Sequence, residues 1–216
     1  MNIDSYMQKS LEEKLDIVNN IKQVAKSEED IIKLLSCFAT DAEVEVRIRV
    51  AEELVFFESR DAELLLLNLL SDNNELVRVN ACDSLGIGKS MESINALKER
   101  AKRDKSSLVR RYAALSIAEI AKNINLVDTR ELIDFCETLL EKEKVTGVKI
   151  YIYESLVKLG VGKYLDLILK ELENRLYRNR STAVHSLTEL MSKENETEIK
   201  NILRRKLSTE KTKDVK

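Results

Sequence analysis

Proline and tryptophan are absent from this 216-residue chain, and glycine occurs only 5 times. β-Sandwiches and turn-rich barrels depend on glycine and proline at their many tight turns, so the composition disfavours both fold classes. Helices joined by short connections suit it better. Hydrophobic residues make up 44% of the chain and charged residues 34%, which is typical of a globular protein with a charged surface.

An excess of charge of one sign is also missing, because 36 Lys and Arg residues stand against 38 Asp and Glu residues. The formal net charge of -2 gives no overall attraction to nucleic acid or to an anionic membrane. No apolar run approaches the roughly 20 residues that a membrane helix needs. The N-terminal residues lack the basic start and apolar stretch of a secretory signal, so we predict a soluble, cytoplasmic protein with no membrane partner.

Three cysteines and a single histidine provide little material for a metal site. Cys37, Cys82 and Cys136 are far apart in apolar helical settings, so we interpret them as buried, reduced thiols. Zinc needs clustered ligands, so the sequence predicts no metal site. Glycine loops that cradle phosphate are absent, and His185 with its neighbour Ser186 has no acid in a recognisable catalytic motif. We therefore predict no catalytic residues and no cofactor, that is, a protein that is not an enzyme.

Five segments of the chain share one spacing, in which an acid or an Asn lies six residues before a basic residue. The basic residues recur at intervals of about 31 to 39 positions, a period that indicates a solenoid. The three clearest pairs are Asp41 with Arg47, Asp72 with Arg78, and Asp104 with Arg110. The two weaker copies are Glu143 with Lys149 and Asn174 with Arg180.

Each repeat is predicted to be an outer helix, a tight turn at the acid, and an inner helix. Counted from the basic residue, positions −1, +3, +4 and +7 are apolar, and they fall on one face of a helix. The acid is a natural N-cap for the inner helix. An Arg one turn into that helix can reach the acid of the adjacent repeat, so we predict a structural Asp–Arg ladder made by the three clear pairs.

This pattern resembles the HEAT repeat, in the short form found in phycobilisome-lyase-like HEAT proteins. The resemblance rests on Asp72 followed by Val77-Arg78, Ala81-Cys82 and Leu85-Gly86, and on Asp104 followed by Val109-Arg110, Ala113-Ala114 and Ile117. It covers roughly residues 28–193. It implies an all-α fold, a right-handed α-solenoid of about five HEAT-like helix pairs with N- and C-terminal capping helices.

The predicted domain organisation is a single HEAT-like repeat domain at residues 1–207, followed by a charged, disordered tail at 208–216. The repeats are expected at residues 28–58, 59–89, 90–123, 128–160 and 161–193. An N-terminal cap is expected at residues 10–26, opened by the capping box from Ser10 to Glu13, and a C-terminal helix at 195–207. The longer third interval implies an insertion near residues 122–129, either an extra helical turn or a projecting loop.

The inner helices of an α-solenoid line its concave side, which is the usual binding surface. Positions +2, +5, +6 and +9 of each repeat are predicted to face this groove. Acids outnumber bases there, and two tyrosines supply amphipathic anchors for a partner. The candidate partner-binding residues are Arg49, Glu52, Glu53, Phe56, Asp83, Tyr112, Glu119, Tyr151, Glu154, Lys158, His185 and Glu189.

An acidic groove with tyrosines favours a basic protein or peptide as the partner. The predicted function is a non-enzymatic protein-binding scaffold, and one concrete role is an immunity protein or inhibitor that neutralises a toxin, such as a nuclease. The alternative is a HEAT-like DNA glycosylase or another nucleic-acid-binding protein. Its stacking residues would be Tyr112, Tyr151, Tyr153 and Tyr177, beside a basic patch of Arg175, Arg178 and Arg180. A bilin lyase-type function is a third possibility, which rests on the family resemblance alone.

The segment from Leu64 to Leu70 is apolar nearly all round, apart from Asn68. Such a helix is either buried between its neighbours or presents an outer face to a second copy or a partner. The sequence leaves both interpretations, and therefore the oligomeric state, open.

Overall fold

The computed structural model describes residues 3–210, and every regular element in that range is helical. Short 3₁₀ turns at Leu54–Phe56 and Gly162–Tyr164 connect some of the α-helices. The α-helices are α1 (Ile3–Met7), α2 (Leu11–Asn19), α3 (Ile21–Val24), α4 (Glu28–Phe38), α5 (Val44–Glu53), α6 (Arg60–Leu69), α7 (Glu75–Leu85), α8 (Met91–Arg103), α9 (Ser107–Asn123), α10 (Arg130–Lys142), α11 (Thr146–Lys158), α12 (Leu165–Glu171), α13 (Tyr177–Glu189) and α14 (Glu196–Thr209). Within residues 3–210, no helix has both the length and the apolar character that crossing a bilayer requires.

Helices α4 to α13 form five consecutive pairs, each with an outer helix followed by an inner helix. The inner helices α5, α7, α9, α11 and α13 pack extensively against one another, whereas successive outer helices touch only sparsely. Because the inner helices lie closer together, they line the shorter, concave side of the stack. The predicted all-α solenoid is confirmed.

The apolar positions of the repeat fill the interior of this stack. In the first repeat Val46, Val50, Ala51 and Leu54 have no exposed surface. The same positions are buried in the second and third repeats, where small residues such as Ala113 allow neighbouring helices to approach closely, and most of them are buried in the fourth and fifth. Burial of this repeated stripe against the next repeat is what holds the array together, because a single helix pair cannot cover its own apolar face.

The prediction that position +6 faces the groove is wrong in four of the five repeats, Glu53 of the first repeat being only partly buried. Four serines that occupy it are buried where one inner helix meets the preceding one: Ser84, Ser116, Ser155 and Ser186. Ser84 Oγ donates a hydrogen bond to the carbonyl of Ala51 at 2.7 Å, and Ser155 Oγ donates to the carbonyl of Ala114 at 3.0 Å. A small hydroxyl at this position permits the close approach and ties the two inner helices together.

The acid of each repeat does not cap the inner helix, which corrects a second prediction. Asp72 Oδ1 accepts a hydrogen bond from the backbone N–H of Asn74 at 2.8 Å, and Asn74 itself is the N-cap of α7. The same bond to the backbone two residues later recurs at Asp41, Asp104, Glu143 and Asn174. The acid therefore shapes the turn that leads into the helix, as short polar side chains do in tight turns.

The N-terminal cap is broken rather than continuous. The capping box between Ser10 and Glu13 starts α2. At Asn20 the backbone leaves helical geometry, and the side-chain amide of Asn20 donates to the carbonyl of Asp16 at 3.0 Å. Asn competes in this way with helix continuation, which explains why α2 and α3 are separate elements.

The C-terminal helix is longer than predicted. It continues through Thr209, and Glu210 is buried against Arg180, with a distance of 2.7 Å between Arg180 Nε and Glu210 Oε2. Residues 208–210 are therefore not part of a disordered tail, because an ion pair fixes the end of the helix. Residues 211–216 of that predicted tail lie outside the described residues.

The insertion near residues 122–129 is both an extra turn and a loop. Helix α9 extends further beyond its basic residue than α7 does, and it ends where Leu126 N–H donates to the carbonyl of Ala121 at 2.9 Å. Asn125 takes a left-handed conformation there, with φ 50°, in the place where Gly160, with φ 98°, ends α11. Val127 projects from the loop and is 99% exposed.

Candidate partner-binding groove

An Asp–Arg ladder runs along the edge of the solenoid where the inner helices begin. Arg78 donates from Nε and Nη2 to the carboxylate of Asp104, both at 2.8 Å, and from Nη1 to the carbonyl of Asp72, also at 2.8 Å. Arg47 binds the Asp72 carboxylate and the Asp41 carbonyl in the same way. Each Arg therefore joins the turn of its own repeat to the turn of the next one.

The ladder is longer than the six residues that the sequence suggested. The additional pairs are Arg110 with Glu143, Arg180 with Glu210, and Lys14 with Asp41. Glu143 and Arg180 stand in the acid and basic positions of the weaker repeat copies, so the spacing contained the signal for both. Burial raises the pKa of Asp72, Asp104 and Glu143, but hydrogen bonds from the Arg partners outweigh burial and hold each pKa below its ordinary value.

An aromatic cluster lies on the groove side of α9, α11 and α13. The ring centroids of Tyr112 and Tyr151 are 6.0 Å apart, and the His185 ring is 6.4 Å from Tyr151. The Arg111 guanidinium lies 5.4 Å from the Tyr112 ring and 5.1 Å from the Tyr151 ring. Arg111 was not among the candidate residues, because position +1 of the repeat is apolar in three of the other copies.

Tyr151 is not the open anchor that the sequence predicted. It is only 6% exposed, because Arg111 and Tyr112 cover its ring. Burial raises the pKa of the Tyr151 hydroxyl to about 12. Tyr112 keeps part of its surface open, and both His185 and Glu189 of α13 are exposed, so these three remain available to a partner.

Glu154 is fully buried and does not face the groove, which corrects a further prediction. Its Oε1 lies 2.8 Å from the ammonium group of Lys158, one turn further along α11, and the same ammonium contacts Glu119 of α9. Burial lowers the pKa of Lys158, but the two carboxylates outweigh burial and raise it. Close packing of α9 on α11 encloses this three-residue network, so Glu154 acts by holding Lys158 in place.

The open carboxylates at the groove centre belong to Asp83 and Glu119. Partial burial raises the pKa of Asp83, and the negative charge of Glu119 raises it further. Lys158 pairs with both Glu119 and Glu154, whereas the charge that Asp83 meets is the negative one of Glu119. The groove centre therefore has an excess of negative charge that a cationic group can reduce.

The N-terminal end of the groove is more nearly neutral. Arg49 pairs with Glu52 at 2.7 Å, and burial raises the pKa of Glu53. Phe56 is 63% exposed, and the Lys22 ammonium lies 5.4 Å from its ring centroid. The sequence prediction counted charges only at positions +2, +5, +6 and +9 of each repeat. Lys22 and Arg111 stand outside those positions and add two positive charges, so the groove is less acidic than predicted.

The tyrosines named for nucleic-acid stacking do not share one surface. Tyr153 stacks on Tyr164, with ring centroids 5.8 Å apart, whereas Tyr177 lies at the start of α13 beside Arg178. Arg180 is bound by Glu210 in the ladder. Among the described side chains, no group of three or more His, Cys, Asp or Glu residues is placed to hold a metal ion.

Stacked helix pairs, a ladder that links successive turns and a concave face of inner helices define an α-solenoid. Residues 31–118 match the family model for HEAT repeats, which confirms the resemblance seen in the sequence. The matched range spans the first two helix pairs and most of the third, where the acid–base spacing is clearest.

The whole fold is similar to a chain in the solved complex of CpcE and CpcF of phycocyanin lyase from Nostoc sp. PCC7120. The TM-score is 0.60 at 17% sequence identity, and the match covers 100% of this chain and 91% of that chain. At this identity the likeness shows the fold alone. No curated protein matches the chain.

Proposed function

We propose that this HEAT-repeat protein is a non-enzymatic, protein-binding scaffold whose concave groove binds a basic protein or peptide. The observation that carries the proposal is the groove centre, where Lys158 pairs with both Glu119 and Glu154 and the exposed Asp83 adds a further negative charge that interacts with that of Glu119. A cationic side chain of a partner supplies the missing positive charge, and long-range attraction speeds its capture.

The aromatic residues suit the same partner. Tyr112 presents a half-buried ring on the same helix as Glu119, two turns before it and on the same face, so a cationic segment of the partner can stack on the ring and contact the carboxylate. At the other end of the groove, Phe56 offers an exposed ring for an apolar side chain of the partner. Aromatic anchors of this kind concentrate binding energy in a few positions.

One concrete role fits this chemistry. An immunity protein or inhibitor that covers the basic cleft of a toxin, such as a nuclease, needs an acidic surface of this type. The structurally similar chain belongs to a complex of CpcE and CpcF, which agrees with a protein-binding role for a solenoid of this fold.

A peptide-binding measurement tests the proposal. The probe is a fluorescein-labelled polyarginine peptide, and its affinity is measured by fluorescence anisotropy at low and at high salt. The double variant Asp83→Asn/Glu119→Gln removes two groove charges without adding bulk. We expect it to bind at least about tenfold more weakly at low salt, since each exposed charge pair contributes about 1 kcal/mol.

A matched control removes the same charge from the convex side. The double variant Glu99→Gln/Asp134→Asn changes exposed acids on outer helices α8 and α10 and leaves the groove intact. It is expected to bind the peptide as the wild type does, within about twofold. Equal losses in the two double variants, or no loss in either, would reject the groove as the binding surface.

A further inference from the structure

A cavity of about 190 Å³ lies between the first and second repeats, at the turns that lead from one repeat to the next. Its floor is apolar and consists of buried core residues, among them Leu54, Leu66 and Leu85. An engineered cavity of about 150 Å³ is large enough to bind benzene. The present cavity can therefore accept a single aromatic ring.

Ser59 places an unpartnered hydroxyl at this cavity. Its Oγ is buried and makes no hydrogen bond. Ser59 is the N-cap of α6, and the equivalent serines of α4 and α8, Ser27 and Ser90, both accept hydrogen bonds from the backbone of their own helices. Ser59 alone of these three makes no such bond, so its hydroxyl is left for another group.

The charged residues at the cavity are already paired. Glu63 accepts hydrogen bonds from Ser93 Oγ and Arg60 Nη1, both at 2.6 Å. Glu58 pairs with Lys89 at 3.3 Å across the mouth. Each of these acids already has a cationic partner, so an apolar, neutral ligand suits the cavity better than a charged one.

We propose that this cavity binds a small neutral molecule with an apolar body, about the size of one aromatic ring, and one hydroxyl group that hydrogen-bonds to Ser59. The body contacts the leucine floor, and the buried Ser59 hydroxyl turns toward the cavity to pair with the hydroxyl of the ligand. Sites of this kind combine an apolar lining with a small number of polar groups that fix the orientation of the ligand. The proposal is independent of the concave groove.

Two probe molecules of nearly the same shape test the role of Ser59. p-Cresol carries the hydroxyl and toluene lacks it, and both are titrated against isotope-labelled protein while amide and methyl resonances are recorded. We expect both to shift resonances of Leu54, Leu66 and Leu85, with p-cresol bound more tightly. Loss of one hydrogen bond in Ser59→Ala should weaken p-cresol binding about fivefold and leave toluene binding unchanged within about twofold.

Two further variants separate a specific site from a general change in the protein. Ser27→Ala removes a serine that caps its helix but lies away from the cavity, so it should lower the Tm without affecting p-cresol. Val55→Trp fills the cavity from its wall and should abolish the binding of both probes. Shifts confined to other parts of the protein, or equal p-cresol affinity in the wild type and in Ser59→Ala, would overturn the proposal.

Discussion

The three cysteines differ in how much of the thiol reaches solvent. Cys82 and Cys136 are buried in the repeat core, whereas Cys37 of α4 is partly exposed, which corrects the expectation that all three are buried. Burial raises the pKa of both buried thiols, and that of Cys136 rises to about 12. Since the thiolate is the reactive form, burial and a high pKa both protect these two residues.

Alkylation with iodoacetamide should therefore distinguish the three thiols. We expect the folded protein to gain at most one adduct near neutral pH, at Cys37, and the urea-unfolded protein to gain three, as read by intact mass spectrometry. Labelling of Cys82 in the folded protein at a rate comparable to Cys37 would show that the core of the second repeat opens readily.

Asp83 is predicted to reduce stability at neutral pH in exchange for binding. The pKa of Asp83 in the folded protein lies above its value in the unfolded chain. The ionised carboxylate is therefore less stable in the folded protein, and it lowers the free energy of unfolding at pH values above the folded pKa. Asp83→Asn should accordingly raise the free energy of unfolding near pH 7 by up to about 0.5 kcal/mol. Urea titration measures the change, and the gain should vanish at low pH, where Asp83 is already neutral. A less stable Asn variant at pH 7 would contradict this view.

At the scale of helices, the ladder links the N-terminal cap and the first four helix pairs to one another. Arg78 and Asp104 are 5% and 3% exposed in their side chains, and their bidentate contact joins the second repeat to the third. Removing Arg78 leaves the buried Asp104 carboxylate with only a longer contact to Arg100, at 3.8 Å. We expect Arg78→Ala to lower the free energy of unfolding by about 3–5 kcal/mol in urea titrations.

The control for this prediction is the position between the fourth and fifth repeats, where the ladder lacks an ion pair. Lys149 stands in the basic position of the fourth repeat, where the acid of the following repeat is replaced by the neutral Asn174. Lys149→Ala should change the stability by no more than about 0.5 kcal/mol. A cost for Lys149→Ala equal to that of Arg78→Ala would mean that the loss reflects side-chain truncation and not the ladder.

Helix α6 shows how an all-round apolar sequence is divided between interior and surface. Leu66 and Leu69 are buried, while Leu64 is 40% exposed on the outer side. Leu66→Glu should unfold the protein or lower its stability by several kcal/mol, since a charge enters the core. Leu64→Glu should remain folded and within about 0.5 kcal/mol of the wild type. Circular dichroism with light scattering measures both effects, and dissociation of a dimer by Leu64→Glu would identify an interface.

At the scale of the whole molecule, the fold followed from the sequence because its determinants are local and repeated. Each repeat carries the same apolar stripe and the same acid–base spacing, so five weak signals support one another. The position of Arg110 beside Glu143 and of Arg180 beside Glu210 extends the same rule. Repetition thus made the packing predictable even where individual copies are degraded.

The groove was less predictable because exposure depends on how far each inner helix lies from the next. Position +5 is exposed in Asp83 but fully buried in Glu154. Helix α11 lies close enough to α9 to enclose Glu154, as the hydrogen bond from Ser155 Oγ to the carbonyl of Ala114 shows, and periodicity alone does not report that distance. Charges from outside the repeats were also missed, because the sequence analysis counted only repeat positions. Lys22 of the N-terminal cap, which lies over the Phe56 ring, is an example.

Acid should destabilise the protein by protonating the carboxylates of the Asp–Arg ladder and breaking their ion pairs. Asp72, Asp104 and Glu143 have folded pKa values below their ordinary values, so their contribution to stability is present above about pH 4 and is lost as the pH falls through the folded values. We expect the urea midpoint of the wild type to fall steeply between about pH 5 and about pH 3.

Asp104→Asn tests whether the ladder causes this acid sensitivity. Because its amide has no proton to gain in this range, the variant should be less stable than the wild type at neutral pH and should lose less stability on acidification. The two unfolding midpoints would then converge at low pH. Since nearest-neighbour interfaces set the stability of a repeat array, the missing rung should also broaden the unfolding transition at neutral pH. Parallel pH profiles for the two proteins would place the acid sensitivity outside the ladder.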